Sequence, residues 1–118
     1  YWISAVYGFI IFHMQHTFDD VYKERSEKWN HYENGMYGSS FFDVPYLLKY
    51  FMNGVEYHHI HHIHMHVPCY ELQNCHDDGN KDNLFNEVHT VYLSDFLKTY
   101  TYSLYNESNN NFENVYYY

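Results

Sequence analysis

Positive charge is scarce in this sequence. Six Lys and Arg stand against fifteen Asp and Glu, a formal charge of −9 with histidine neutral. That balance repels a phosphate backbone and disfavours nucleic acid as a partner. Cysteine is sparser still. Cys69 and Cys75 make no disulfide framework, and their spacing is not that of a zinc-ribbon pair. Gly-rich phosphate loops and nucleophile elbows are missing, and no basic, cleavable leader opens the chain. Nor is there a run of the ~20 apolar residues that a membrane-spanning helix needs. The apolar opening, YWISAVYGFIIF at 1–12, is shorter. It suits a buried soluble helix, or the end of a spanning helix whose beginning lies outside the sequence. A start on Tyr1, straight into apolar residues, is expected of a segment cut from a longer chain, and 118 residues allow one domain at most.

Aromatics and histidine are what the chain has in excess. Sixteen Tyr and nine Phe favour interfaces where one end of the ring stays wet. Six histidines, His58, His59, His61, His62, His64 and His66, crowd into the stretch GVEYHHIHHIHMHVPCY at 54–70. Within it, His58-His59-Ile60-His61-His62 has an H-x-x-H-H pattern. On a helix, positions i, i+3 and i+4 share one sector of about 100°. His58, His61 and His62 would then aim at one point, and neutral imidazole suits iron, zinc, copper or nickel. His59, His62 and His66 share a face too, so spacing leaves two ligand sets open. The bland alternative is a solvated His-rich segment; an artificial tag is disfavoured by the mid-chain position and the interrupting Ile, Met and Val.

The periodicity predicts an all-α chain. A first helix covers residues 1 to about 18 and ends in FHMQHTF, with His13 and His16 near its end. A polar excursion follows over 19–40, with at most a short helix near Val21 to Trp29, where His31 reads as solvated. Ser40 with Asp43 resembles a capping box and predicts a helix over Phe41 to Met52. Asn53-Gly54 then makes a stop or sharp bend. The histidine helix is expected from about Val55 to His64, a short helical turn over Tyr70 to His76, a loop over Asp77 to Asn83, and a last helix over Phe85 to about Tyr105. Residues 106–118, Asn-rich and without period, read as a disordered tail beyond a domain of residues 1–105.

Three segments in this order carry a resemblance: Gln15-His16 in FHMQHTFDD, then YGSSFFDVPYLLKYFMNGVEYHHIHH, then VPCYELQNCHD. Together they resemble the C-terminal part of membrane fatty acid desaturases, nearest to the Δ12/Δ15-type acyl-lipid group, with its Q-H, its G-S-S before a helix, its third histidine box and its P-x-Y-x-L-x-x-C-H segment. The resemblance spans about residues 9–105. It implies the end of a transmembrane helix followed by cytosolic cap helices, in an integral membrane enzyme whose site faces the cytosol. It implies iron, two ions in the complete enzyme, with His58, His61 and His62 as ligands and His16 as the extra ligand. Gln15, His59 and Glu56 would lie just behind them. The implied partners are a fatty acyl substrate, linked to lipid, CoA or ACP, and an electron donor such as cytochrome b5 or ferredoxin.

Two departures stand out. Ile63-His64-Met65-His66-Val67-Pro68 lacks one proline of the family pattern and adds two histidines, whose role the resemblance does not assign. The first and second histidine boxes are absent from these residues, and four ligands do not complete a two-iron site, so the chain by itself is expected to be inactive. A related membrane fatty acyl hydroxylase is the nearest alternative, because both reactions share the first hydrogen abstraction. A non-catalytic His-rich metal binder is the alternative from another class. It would make His59, His64 and His66 bind as readily as the box.

Overall fold

The computed structural model describes residues 1–114. Six helices dominate, but the chain is not all-α: two small two-stranded sheets join them. Helix α1, Trp2–His16, follows the predicted span. At 15 residues it is the longest element, and no helix among the described residues is long and apolar enough to cross a membrane. Its first half leaves Trp2, Ile3, Val6 and Phe9 exposed, whereas Ile11 and Met14 enter the core. That core gathers Ile11, Met14, Phe18, Val21, Phe42, Val44, Met52 and Val91.

The excursion after α1 differs from expectation. Residues 21–25 form no helix, and Val21 is drawn into the core while Tyr22 N–H donates to the Tyr37 carbonyl at 2.8 Å. The helix comes later, α2 at His31–Tyr37, where the Asn30 side chain accepts from the Glu33 N–H at 3.1 Å. That is an N-cap with an acidic residue in the first turn.

The predicted Phe41–Met52 helix is split. Ser40–Asp43 is strand β1, and α3 starts only at Tyr46, behind Pro45. Proline disfavours helix at the residue before it, Val44, and fixes the φ suited to a helix start. Ser40 therefore caps nothing; its hydroxyl donates to the Gln15 carbonyl at 3.3 Å. Strand β1 pairs in parallel with β2, His89–Tyr92, with Phe42 opposite Val91. The crossover between these strands carries α3 (Tyr46–Met52), a 3₁₀ turn (Val55–Tyr57), α4 (His58–Ile63), a second 3₁₀ turn (Cys69–Glu71) and α5 (Leu72–Lys81). Asn53 and Gly54 make the predicted bend, both at positive φ. Helix α5 runs through residues read as a loop.

The predicted last helix breaks into β2, a short 3₁₀ turn, α6 (Phe96–Thr101) and strand β3 (Tyr102–Asn106). The Asn-rich end was expected to be disordered from residue 106. Within it, β4, Asn111–Asn114, pairs antiparallel with β3. Lys23 Nζ covers the rings of Phe112, at 4.2 Å, and Tyr105. Residues 115–118 of the expected tail lie outside the described residues.

Candidate metal centre

Helix α1 delivers His16 from its last turn, and α4 delivers His58 and His62 from adjacent turns. The three rings meet. His58 Nε2 lies 2.8 Å from His16 Nε2 and 3.0 Å from His62 Nε2. Ring centroids are 4.5 to 4.9 Å apart in all three pairs, and all three pairs are edge-on. Among the described residues this is the one group of three or more His, Cys, Asp or Glu that could hold a metal ion.

His61, the remaining predicted ligand, does not join them. It is exposed, stacked beside His58 with centroids 5.8 Å apart, and 6.0 Å from His62. His59, on the buried side of α4, is fully inaccessible. His64 and His66 are exposed beyond the helix end, near each other but outside the cluster. The i, i+3, i+7 set is thereby ruled out as one face: α4 stops at Ile63, and His66 lies off it. His13 does not join the cluster; its Nε2 donates to the Thr99 carbonyl at 2.9 Å.

The surroundings orient His16. Its Nδ1 donates to the Gly38 carbonyl at 3.0 Å, which leaves Nε2 with a lone pair aimed at the cluster. Gly38 opens the Gly-Ser-Ser segment. Both serines are fully buried: Ser39 donates to the Gly35 carbonyl at 2.6 Å, and Ser40 to Gln15. Gln15 is buried, and its amide donates to the Val55 carbonyl at 2.6 Å, tying the end of α1 to the 3₁₀ turn that leads into α4. Glu56 is buried, with Oε2 unbonded by protein, and touches none of the three rings by hydrogen bond.

Burial holds these rings neutral. The His58 pKa is pushed down to about 3 by burial and then by His16 and its other histidine neighbours. His62 falls to about 4 by burial and then His16. His16 is also lowered by burial, against an opposing pull from the Gly38 hydrogen bond. The donor set fits a transition ion. Three neutral Nε2 atoms face one another, and a single shared proton cannot satisfy two contacts at His58. With metal–nitrogen bonds of about 2.0–2.1 Å, two ligands at a right angle stand about 2.9 Å apart, the separation seen here.

Sequence reasoning assigned no role to His76, Asn80 or the Gly38 carbonyl. His76 Nδ1 lies 3.2 Å from His59 Nε2, and Asn80 reaches His76 Nε2 at 2.9 Å. The C-H and G-S-S segments marked the first and last of these, and Asn80 stands one helical turn after His76.

No family model and no solved structure matches the chain. A fatty acid desaturase of Bacillus subtilis is 36% identical over 110 residues, covering 93% of this chain. The chain spans only 30% of that relative's length. Over the stretch that it covers, the chain belongs to the fatty acid desaturase family.

Proposed function

We propose that the chain supplies part of the iron centre of a membrane fatty acyl desaturase, an oxidoreductase that uses O2 and an external electron donor. The observation that carries this reading is the meeting of His16, His58 and His62 Nε2 atoms in a chain related to a desaturase over nearly all its length. Taking hydrogen from an unactivated methylene pair needs an oxidant that no side chain provides, and iron with O2 and donated electrons supplies it. The chain's own contribution is geometric: His16, His58 and His62 present uncharged donors, Gly38 fixes the His16 tautomer, and Gln15 sets the approach of α1 to α4. His61, turned outward from the trio, would be placed to hold the second iron that the complete enzyme is expected to carry.

Two surfaces support an apolar substrate and a membrane setting. An apolar cavity of about 250 Å³ lies between α1, β1, α3 and α6, lined by Ile10, Met14, Phe42, Leu48, Met52 and Phe96 among others. Exposed Trp2, Ile3 and Phe9 on α1 and Tyr46, Leu47 and Phe51 on α3 are suited to contact with lipid or with further apolar helices. The test is production of the full-length protein in a host whose acyl chains are then analysed, with iron counted per chain. New double bonds, lost in the His58→Ala and His16→Ala variants, are expected. Hydroxylated acyl chains would instead assign the hydroxylase, and bound metal without any acyl product would assign a plain metal binder.

A further inference from the structure

The metal reading leaves two buried imidazoles without a task. His59 is fully inaccessible and His76 half-buried, and neither bonds the three clustered rings. His76 lies between Phe41, stacked at 4.5 Å, and Phe85, stacked at 5.8 Å. His59 meets Phe85 edge-on at 4.9 Å. Aromatic hydrocarbon would fill this space without the desolvation cost that polar rings carry. What imidazole adds is direction. The Asn80 amide donates to His76 Nε2, so His76 carries its proton on Nδ1 and donates it to His59 Nε2. His59 in turn carries its proton on Nδ1, buried beside the Ser40 backbone, though no group there meets full hydrogen-bonding geometry. Ser40 belongs to the segment whose Gly38 carbonyl holds His16. The chain of contacts thus runs from α5 through α4 to the element that orients the third ring.

We infer that Asn80, His76 and His59 form a brace that positions the three-histidine cluster by fixing the rotation of α4 about its axis. The inference rests on the metal reading above. A helix of six residues has little stiffness of its own. At a helix surface some 5–6 Å from the axis, a rotation of 20° displaces a side-chain tip by about 2 Å, a whole metal–ligand bond. His59 follows His58 by one residue, so anchoring its ring anchors the direction of His58 and His62.

The test uses Co²⁺ as probe on the metal-free full-length protein, read by affinity, by visible absorption and by the melting temperature without metal. The absorption component that disappears in His58→Ala identifies this site. His76→Phe keeps the stacking between Phe41 and Phe85 and removes the hydrogen bond. His76→Asn keeps a polar atom where Nδ1 stood. Asn80→Ala, on an exposed residue, releases the His76 tautomer. The brace predicts that His76→Phe weakens Co²⁺ binding about 10–100-fold, the range for groups that orient metal ligands, and alters the spectrum while the metal-free melting temperature holds. His76→Asn restores affinity to within about threefold, and Asn80→Ala falls between. Should His76→Phe fail to fold, Asn80→Ala and His76→Asn decide. Wild-type affinity in Asn80→Ala and His76→Phe, or binding lost only in step with melting temperature and not rescued by Asn, overturns the brace. No Co²⁺ uptake by the unaltered protein overturns the metal reading itself, and the brace with it.

Discussion

At the scale of single residues, the cluster separates histidines that the sequence pattern treats alike. His62 is one turn from His58 and its Nε2 lies 3.0 Å from that of His58, whereas His61 stands on the exposed side of the same helix. Removing a ligand of the trio should therefore cost more than removing His61. His62→Ala and His16→Ala are expected to weaken the first Co²⁺ or Fe²⁺ equivalent by more than the 10–100-fold typical of supporting groups, and His61→Ala by about threefold or less. Titration of the metal-free protein, followed by absorbance, checks the order; equal losses at all three would place His61 in the trio. The serines make a second contrast. Ser39 is fully buried and its hydroxyl satisfies the Gly35 carbonyl. Ser39→Ala should cost about 1 kcal/mol in urea unfolding, the net worth of such a bond. Ser39→Val should cost more, because the branched side chain overpacks a closed position. Much of this scale was legible beforehand. The box points to His58 and His62, and the Q-H motif to His16. The phase of the helix was not, because H-x-x-H-H fits two faces until packing buries His59 and frees His61.

Among the elements, the junction between α3 and α4 sets where the box begins. Gly54 sits at φ +86°, and a Cβ there would stand 2.9 Å from the Cys69 carbonyl oxygen. Gly54→Ala should therefore destabilise by about 2 kcal/mol, the left-handed penalty of 1–2 plus the contact with backbone. It should also lower metal affinity by shifting the head of α4. Denaturant midpoints with and without Co²⁺ test both, and an unchanged midpoint would mean that the bend is relaxed. This bend was readable because Asn-Gly is a local signal. The strands were not. The serine and aspartate of Ser40-Phe41-Phe42-Asp43 mimic a helix start, and only Pro45 argued against it. The partner that makes this segment a strand, His89–Tyr92, comes after three intervening helices, a pairing that no local pattern announces. Once β2 is fixed, the helical reading of residues 85–105 fails at Val91, which turns into the core opposite Phe42 instead of following a helical face.

The whole molecule couples its stability to the same rings. His58 and His59 are held down to about 3 and His62 to about 4, chiefly by burial, against about 6.5 in the unfolded chain. Below pH 6.5 the unfolded chain takes up protons that the folded rings refuse, so it is the unfolded state that gains as pH falls. The stability contributed by burying these rings uncharged is fully present above pH 6.5. It is lost progressively between about 6.5 and 4, with further loss toward 3. Metal-free protein should thus show a falling denaturant midpoint across this window, in which Asp19, paired with Lys98 and Tyr102, still holds its charge. Bound metal adds stability at neutral pH, because only the folded state presents the three donors together. Binding needs deprotonated nitrogen, which burial already provides above about pH 4, so the added stability holds across most of this window and fades only as pH falls toward the folded values of about 4 and 3. In His58→Ala the stability added by metal at neutral pH should vanish, while the pH slope due to His59 remains. Added stability that already fades between about pH 6.5 and 5, with metal shown to be bound at neutral pH, would mean that the ion sits on nitrogens more exposed than these rings.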